Sequence, residues 1–259
     1  MAKKPSWVID KEREKREGLW LFGLHAVRDA LANPARVKLR LVLTRNAADR
    51  LGEDAWAGAG IEPEIADPRR FPVPLDPGSV HQGAALEVRP LDWGGLEDAC
   101  YPGAGAALTV LLDRVTDPHN VGAILRSAEV FGAKAVIAPA RHSAPETGAL
   151  AKTASGALER QPYLRVKNLA NAMETLRGLG YILLGLDGEA EETLDHALGE
   201  MPEGAAIALV LGAEGPGLRE RTKETCDRLV KIPFARDFGS LNVSNAAAVS
   251  LYAASRNVS

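Results

Sequence analysis

Residues 239–256 read GSLNVSNAAAVSLYAASR, and this stretch carries the strongest signal for the fold. Its second half is almost entirely alanine, serine and small aliphatic residues, and its start crowds hydrogen-bonding side chains around Leu241 and Val243, namely Ser240, Asn242, Ser244 and Asn245. Small residues let another backbone approach closely, and exposed amides at a helix start favour polar or anionic groups. The stretch predicts a closely packed C-terminal helix that begins at a ligand site. A well-capped core helix against a sheet is the alternative.

Length and composition limit the class of protein. A chain of 259 residues predicts one large or two small domains, and its 46% hydrophobic and 25% charged residues are typical of a soluble globular protein. The net charge of −3 does not indicate nucleic acid binding, although a local basic patch is enough for it. Cys100 and Cys226 lie far apart, which favours a reducing cytoplasm over a disulfide framework or metal site. No apolar run approaches the roughly 20 residues of a membrane span, so we expect no membrane contact.

The N-terminus is charged and lacks the apolar core of a secretory signal. We expect residues 1–18 to form a flexible, solvated tail. Its charged segment KEREKRE, residues 11–17, is alternatively an arm that touches RNA.

Residues 19–92 predict a small α/β domain. Leu24, Val27, Ala30 and Leu31 follow helical spacing that ends at Asn33-Pro34, and residues 37–44 alternate as a strand. Residues 80–91 predict another strand, after a proline-rich loop. Glycine and proline are dense in residues 93–105, which therefore predict a linker.

Residues 106–259 alternate between helices and strands rich in Val, Ile and Leu. This pattern predicts an α/β fold with a largely parallel sheet covered by helices on both faces. In such a sheet, ligands bind beyond the carboxyl ends of the strands.

The first unusual loop of this half is DRVTDPHNVGAILR, residues 113–126. Asn120 is a plausible N-cap. Gly122 and Arg126 are four residues apart and share a helix face, so the guanidinium can reach back over the bare glycine toward a ligand in the loop. A capped helix with an exposed arginine is the alternative.

The second unusual loop is LVLGAEGPGL, residues 209–218, in which three glycines surround Glu214 after a buried strand. Glycine permits positive φ and a close approach of ligand to backbone. The spacing excludes the dinucleotide-binding fingerprint, and a tight turn is the alternative.

Together, the three loops resemble the three motifs of the SpoU-type RNA 2′-O-ribose methyltransferases, a branch of the knotted methyltransferase superfamily. The matching residues are, in motif order, Asn120, Gly122 and Arg126; Gly212, Glu214 and Gly217; and Ser240–Ser244, which follows Ile232-Pro233. Residues 23–27 and 81–83 more loosely resemble the substrate-binding domain of the family's ribosomal RNA members. Structural roles for His25 and His81 remain open.

The resemblance implies a SPOUT-type domain at residues 106–259 with a C-terminal trefoil knot, and S-adenosyl-L-methionine as co-substrate without a metal. It implies that Leu211, Gly212, Ile232 and Leu241 line the cofactor. The implied catalytic residues are Arg126, Asn120, Glu214, Asn242 and Ser244. The family's usual proposal makes the arginine a base, whereas a permanently charged arginine is better suited to stabilise developing negative charge.

The resemblance also implies a substrate, a guanosine ribose in large-subunit ribosomal RNA or its precursor particle, and a homodimer formed through the knot region. Residues 30–48 contain four cations and no acid, which predicts an RNA contact at Arg36, Lys38, Arg40 and Arg45. A solvated strand face is the alternative. Other functions left open are transfer RNA methylation, a non-catalytic RNA-binding or ribosome-assembly protein, and a nucleotide-binding enzyme with another cofactor.

Overall fold

The computed structural model describes residues 18–75, 78–103, 105–235 and 240–257. The predicted flexible tail, apart from Gly18, lies outside the described residues. The chain divides into two compact units. The first holds the described residues up to Asp92 together with Pro145–Arg160, and the second holds those of Trp93–Ala144 and Gln161–Ser259.

The first unit is built on a four-stranded sheet of order β1-β4-β2-β3, with strands β1 (Leu19–Phe22), β2 (Lys38–Thr44), β3 (Pro63–Ala66) and β4 (Ala84–Val88). Strand β4 is antiparallel to both β1 and β2, whereas β2 and β3 are parallel. The helices that precede β4 are α1 (Leu24–Ala32), α2 (Arg45–Leu51) and α3 (Glu53–Ala57). Helix α1 and strands β2 and β4 confirm the predicted elements.

The alternation predicted for residues 37–44 is wrong in part. The pairing of β2 with β4 shifts between Lys38 and Arg40. Leu39 is exposed, whereas Leu41, Val42 and Leu43 are all buried. A bulge explains why Leu39 does not share the burial of Leu41 and Leu43, because one extra residue disrupts the ladder and reorients the side chains around it. Since successive strand residues point to opposite faces, the burial of Val42 means that both faces of the strand are covered at its end.

The His81–Gly83 turn has a structural role in the first unit. Gln82 Oε1 accepts a hydrogen bond from the first backbone N–H of α1, that of Leu24, at 3.1 Å. His81 Nδ1 accepts from the N–H of Gly83 at 3.1 Å. Gly83 has φ +78°, and a Cβ at this position would overlap Thr44. These contacts favour the structural interpretation of His81, whereas His25 is exposed.

Residues 145–160 belong to the first unit, although the prediction placed them in the C-terminal domain. They contain helix α6 (Gly148–Ala154), which packs on β1. A 3-10 turn follows at Ala157–Glu159. A Cβ at Gly148 would overlap Phe22, so glycine is what allows this close packing. The apolar side chains of this segment thus complete the core of the first unit.

Residues 145–160 also contain Glu159, which pairs with Arg36, one of the predicted RNA contacts. Arg36 is only 2% exposed, and its Nε and Nη2 atoms donate to the Glu159 carboxylate at 3.0 and 2.8 Å. Its Nη1 atom donates to the carbonyl of Arg89 at 2.8 Å. The prediction that Arg36 contacts RNA is therefore wrong for this structure, because all three nitrogens of the guanidinium are already paired inside the unit.

The second unit contains a six-stranded sheet of order β10-β8-β9-β5-β6-β7. Its strands are β5 (Leu108–Asp113), β6 (Val136–Pro139), β7 (Tyr163–Val166), β8 (Tyr181–Leu186), β9 (Ala206–Gly212) and β10 (Arg228–Val230). All of its pairings are parallel. The predicted α/β fold with a parallel sheet is confirmed, and its carboxyl ends lie along one edge.

The remaining helices are α4 (Leu96–Ala99), α5 (Pro118–Val130), α7 (Leu169–Gly178), α8 (Leu194–Gly199), α9 (Glu220–Thr225) and α10 (Val243–Ser255). Helix α7 packs its apolar face into a core with β5, β6, β8 and β9. Helix α10 packs against α5, α8 and β9. Since α10 buries Val243, Ala247, Ser250, Leu251 and Ala254, the predicted close packing of the C-terminal helix is confirmed.

The predicted linker at residues 93–105 is packed rather than free. Helix α4 lies within it, and Trp93, Leu96 and Ala99 contact the core of the second unit. Cys100 is fully buried, and its carbonyl accepts a hydrogen bond from Tyr181 Oη at 2.8 Å. The apolar residues scattered among the glycines explain the difference from the prediction. Across the described part of the chain, every helix is too short or too polar to cross a bilayer.

Candidate active site

The first predicted loop leads from β5 into α5, and Asp117 caps this helix. The Asp117 carboxylate accepts from the N–H of His119 at 2.9 Å, and Pro118 occupies the first turn. The prediction of Asn120 as the N-cap is therefore wrong. Because Asn120 lies inside the first turn, its side-chain amide is free to bond residues of other segments.

The second predicted loop folds back on itself immediately after β9. Gly217 donates its N–H to the carbonyl of Ala213 at 3.0 Å, and the two residues form an isolated antiparallel bridge. A Cβ at Gly212 would overlap the backbone of Gly217 and Leu218. Gly217 itself has φ +67°, a conformation that glycine adopts without cost. The glycines thus permit a tight loop that presents Glu214.

The third predicted loop ends at the N-terminus of α10, where Asn242 is the N-cap. Its Oδ1 atom accepts from the backbone N–H of Ser244 at 2.9 Å and from Ser244 Oγ at 2.6 Å. This arrangement fixes the orientation of the Asn242 amide, because its oxygen is committed to the helix. The amide nitrogen is left to face the other two loops.

The three loops meet in one hydrogen-bonded network of polar side chains. Asn120 Nδ2 donates to Glu214 Oε1 at 3.0 Å, and Asn242 Nδ2 donates to Asn120 Oδ1 at 3.0 Å. Asn242 Nδ2 also bonds the same Glu214 oxygen. We call Asn120, Glu214 and Asn242 the polar triad. Ser244 joins the triad only through Asn242.

Arg126 lies on the same helix as Asn120 and its side chain is exposed. Within residues 18–75, 78–103, 105–235 and 240–257, the guanidinium of Arg126 forms no hydrogen bond or ion pair. The Glu214 carboxylate accepts from two asparagines and does not pair with Arg126. Arg126 is thus a cation available to a ligand.

The residues expected to line the cofactor lie at the end of β9, just after β10 and just before α10. Gly212 ends β9, next to the fully buried Leu211, and Ile232 comes two residues after β10. The Leu241 side chain is 40% exposed. The backbones of Ile232 and Leu241 form no hydrogen bond to any other described residue, so their donors and acceptors are available. This combination of apolar surface and free backbone groups suits an adenine ring.

Sequence reasoning missed a buried carboxylate that braces the glycine loop. Asp113, the last residue of β5, accepts from the N–H and Nε of Arg219 at 3.0 and 2.7 Å. It also accepts from Thr222 Oγ1 at 2.7 Å. The signal was an acid at the end of an otherwise apolar strand, because such a carboxylate requires partners when buried. Asp113 therefore ties the end of the second loop to the start of the first.

The remaining cations of the predicted RNA contact lie in the first unit. Lys38 Nζ donates to the carbonyl of Asn33 at 2.7 Å, and burial lowers the pKa of this lysine. Arg40 pairs with Glu64 in an exposed ion pair, through hydrogen bonds of 3.0 and 2.6 Å. Arg45 is exposed and has no partner within the described part of the chain. Only Arg45 is thus fully available.

One cluster in the second unit has the residue types of a metal site. The potential ligand atoms of Glu192, His196 and Glu200 lie within 4.8 Å of one another. Arg228 donates to both carboxylates, at 2.6 Å to Glu200, and its hydrogen bond to Glu192 is the main cause of the lowered pKa of the Glu192 carboxyl. Both carboxylates of the cluster are thus already paired with a protein cation.

Comparison with known proteins divides the chain between residues 93 and 107, so residues 145–160 fall within the second match although they pack in the first unit. Residues 107–252, more than half of the chain, match the family model described as SpoU rRNA Methylase family. Residues 20–93 match the model described as RNA 2′-O ribose methyltransferase substrate binding. The chain belongs to the SpoU rRNA methylase family. The predicted family resemblance is confirmed in both halves.

Relatives within the SpoU family match nearly the whole chain. It is 41% identical over 240 residues to the 23S rRNA (guanosine-2′-O-)-methyltransferase RlmB of Ralstonia nicotianae, covering 91% of this chain and 94% of that one. It is 37% identical over 243 residues to the protein of the same name from Escherichia coli K12, with coverage of 91% and 97%. Among solved structures, it resembles the SpoU methyltransferase AviRb from Streptomyces viridochromogenes in complex with AdoMet, with a TM-score of 0.76, 25% identity and coverage of 95% and 92%.

Proposed function

We propose that this chain transfers a methyl group from S-adenosyl-L-methionine to the ribose 2′-hydroxyl of a guanosine in 23S ribosomal RNA. The observation that carries the proposal is the polar triad, which joins the three SpoU motifs at one edge of the parallel sheet. The relatives named for this activity align with the chain across both units and support the choice of substrate.

Arg126 is the residue that we assign to the reacting oxygen. When bound, the sulfonium supplies an electrophilic methyl group, and the ribose oxygen must become more nucleophilic to attack it. Arginine stays protonated in proteins, so Arg126 acts as a fixed charge rather than as a base. It orients a phosphate and stabilises the negative charge that develops as the hydroxyl proton leaves to solvent.

The polar triad holds the ribose in our proposal. Amides offer both donors and acceptors, and the carboxylate of Glu214 accepts hydrogen bonds only. A sugar hydroxyl can replace one asparagine donor on Glu214 without leaving that carboxylate unpaired. Ser244 fixes Asn242 by donating its hydroxyl proton to the asparagine oxygen, and its Oγ atom can still accept a hydrogen bond from the sugar.

S-adenosyl-L-methionine binds beside the triad, at Leu211, Gly212, Ile232 and Leu241. The exposed Leu241 side chain and the unpaired backbone groups of Ile232 supply the apolar and polar contacts that an adenosyl group requires. We retain the proposals of a C-terminal trefoil knot and of a reaction without a metal. Lys38, Arg40 and Arg45 remain proposed RNA contacts, and the RNA substrate places the protein in the cytoplasm.

We also propose a homodimer that covers the outer surface of α5 and α10. Val130, Val249 and Tyr252 are exposed large apolar side chains on these helices. The ring of Tyr252 lies 6.0 Å from that of Phe131, centroid to centroid. An apolar patch of this kind marks an interface more often than a solvated surface. We expect Tyr252→Glu to lower the mass measured by analytical ultracentrifugation from dimer to monomer. A monomeric wild-type protein would contradict this part of the proposal.

Two measurements test the main proposal. Calorimetry should detect S-adenosyl-L-methionine binding to the purified chain, and tritium from its labelled methyl group should appear in 23S ribosomal RNA as 2′-O-methylguanosine. Preferential methylation of transfer RNA would mean that the proposed RNA substrate is wrong and that the proposed 2′-O-methylation reaction is right. RNA binding without cofactor binding would overturn the proposal in favour of a non-catalytic RNA-binding protein.

A further inference from the structure

We propose that Arg114 and Arg219 form a phosphate-binding site for the RNA substrate on the second unit. The inference rests on the proposed function, because its ligand is the backbone of the RNA that the chain methylates. Both lie at the end of β5: Arg114 follows the strand directly, and Arg219 bonds Asp113, the last residue of the strand. Neither was among the cations predicted from the sequence to contact RNA.

Arg219 presents a guanidinium whose inner edge is fixed and whose outer edge is free. Its Nε atom donates to the buried Asp113 carboxylate at 2.7 Å, and its side chain is 50% exposed. The Nη1 and Nη2 atoms bond no other residue in the described ranges. A planar guanidinium held by one edge is already oriented, so it loses little side-chain entropy when two phosphate oxygens bind the other edge.

Arg114 stands next to Asp113 in an unusual backbone conformation. Its φ is +64°, in the left-handed region that favours glycine or asparagine. The side chain is exposed and forms no ion pair or hydrogen bond within the part of the chain that the structure describes. A long cation kept in a strained conformation, and without a partner, is explained by a ligand outside the chain.

The acids nearby leave the outer edge of Arg219 and the guanidinium of Arg114 open to a ligand. The Asp113 carboxylate is the counter-ion of Arg219, but it is buried and bonds only the inner edge of that guanidinium. The exposed acids Asp117 and Glu214 accept hydrogen bonds from the start of α5 and from the asparagines of the polar triad, and neither is paired with an arginine in the described ranges. Two arginine groups therefore face solvent at the end of β5 without a carboxylate on their open side.

The location links the proposed phosphate site to the polar triad. Arg219 closes the loop that presents Glu214, and Arg114 opens the segment that contains Asn120. A phosphate held between them anchors the RNA backbone close to the nucleotide whose ribose reaches the triad. Contacts of this kind position RNA without selecting its sequence.

The test compares Arg114→Gly and Arg219→Gln with the control Lys134→Gln in full-length protein. Lys134 is an exposed cation of the same unit at the amino-terminal end of β6, which is the opposite edge of the sheet. Binding of a 23S ribosomal RNA transcript is measured at several salt concentrations, and S-adenosyl-L-methionine binding is measured by calorimetry.

We expect each arginine variant to weaken RNA binding about three- to tenfold and to reduce the salt slope of log affinity by roughly 0.7 to 0.9. Cofactor affinity should stay unchanged, as should RNA affinity in Lys134→Gln. Arg114→Gly should be at least as stable as the wild type, since glycine suits the positive φ. Its RNA defect is therefore not a folding defect.

Three results would overturn the inference. Salt slopes equal to that of Lys134→Gln would exclude phosphate contact, and weakened cofactor binding would assign the arginines to the methionine carboxylate instead. Thr222→Val removes a hydrogen bond of Asp113 without changing any charge; if it weakened RNA binding as much as Arg219→Gln, the effect would be one of loop structure. A wild-type protein without methyl transfer would reject the proposed function instead, so the two failures are distinguishable.

Discussion

Two sets of polar residues, one in each unit, were predicted to be functional, and they behave differently in the structure. In the second unit, Asn120, Glu214 and Asn242 lie far apart in sequence and form one hydrogen-bonded triad. In the first unit, Arg36 and Arg40 lie four residues apart, and each is paired with its own carboxylate. Parallel strands bring the residues that follow them to a common edge, whereas two cations close together in sequence, one before β2 and one on it, find separate partners. The position of a residue at the end of a parallel strand therefore predicts a shared site better than a local concentration of charged residues does.

The largest expected effect is the loss of Arg126, the exposed cation of the first motif. Arg126→Ala should reduce methyl transfer on the order of a hundredfold to a thousandfold, because it removes a fixed charge at the reacting oxygen. Calorimetry should give an unchanged affinity for S-adenosyl-L-methionine. Transfer at the wild-type rate would remove Arg126 from the mechanism.

In the first unit, the largest effect should come from Arg36 and should concern stability. Arg36→Met leaves Glu159 as a lone buried charge, which costs about 3–5 kcal/mol in the free energy of unfolding. Hydrogen exchange should accelerate in the first unit and stay slow in the sheet of the second. The double variant Arg36→Met with Glu159→Gln should recover part of the stability. An Arg36→Met protein of normal stability that has lost RNA affinity would restore the original prediction.

The two cysteines allow the units to be compared in another way, because both lie in the second unit. Burial raises the pKa of Cys226 to about 12 and also raises that of Cys100. At pH 8.5 the native Cys226 thiol should therefore react with iodoacetamide roughly a thousandfold more slowly than a free cysteine, and the Cys100 thiol should also be slowed. Mass spectrometry should find the same protection in Arg36→Met. Rapid labelling in that variant would mean that the two units unfold together.

The smallest effect should be that of the exposed pair between Arg40 and Glu64. Glu64→Gln should change stability by less than about 1 kcal/mol, as exposed ion pairs contribute little. It should increase the affinity for 23S ribosomal RNA about twofold, because it frees a cation for phosphate. An unchanged affinity would indicate that β2 is only a solvated strand face.

The parallel sheet and the order of its motifs could be predicted because both depend on local patterns. Buried strands such as Leu108–Asp113 are nearly continuous apolar runs, and the glycines after β9 are required by a loop that folds onto Gly212. The loops that present Asn120, Glu214 and Asn242 follow strands β5, β9 and β10. Because the carboxyl ends of parallel strands lie at one edge of the sheet, the loops meet there, and no pattern linking distant parts of the sequence is needed to predict it.

The contacts that could not be predicted are those between segments that no local pattern relates. Nothing near Arg36 indicates that Glu159, more than a hundred residues later, will bury it. The same is true of residues 145–160, which join the first unit, and of Asp113, whose partners are Arg219 and Thr222. The cap of α5 was misassigned because Asp117 and Asn120 are both good capping residues, and only the position of Pro118 distinguishes them.

A double-mutant cycle on Asn120 and Asn242 tests most directly whether the three motifs act as one site. The quantity is kcat/KM for methyl transfer to 23S ribosomal RNA by Asn120→Ala, Asn242→Ala and the double variant. Since both amides bond the same Glu214 oxygen, we predict that each single change lowers kcat/KM on the order of a hundredfold and that the double variant is little worse. Losses that simply multiply would show that the two residues work independently, and would contradict a shared site.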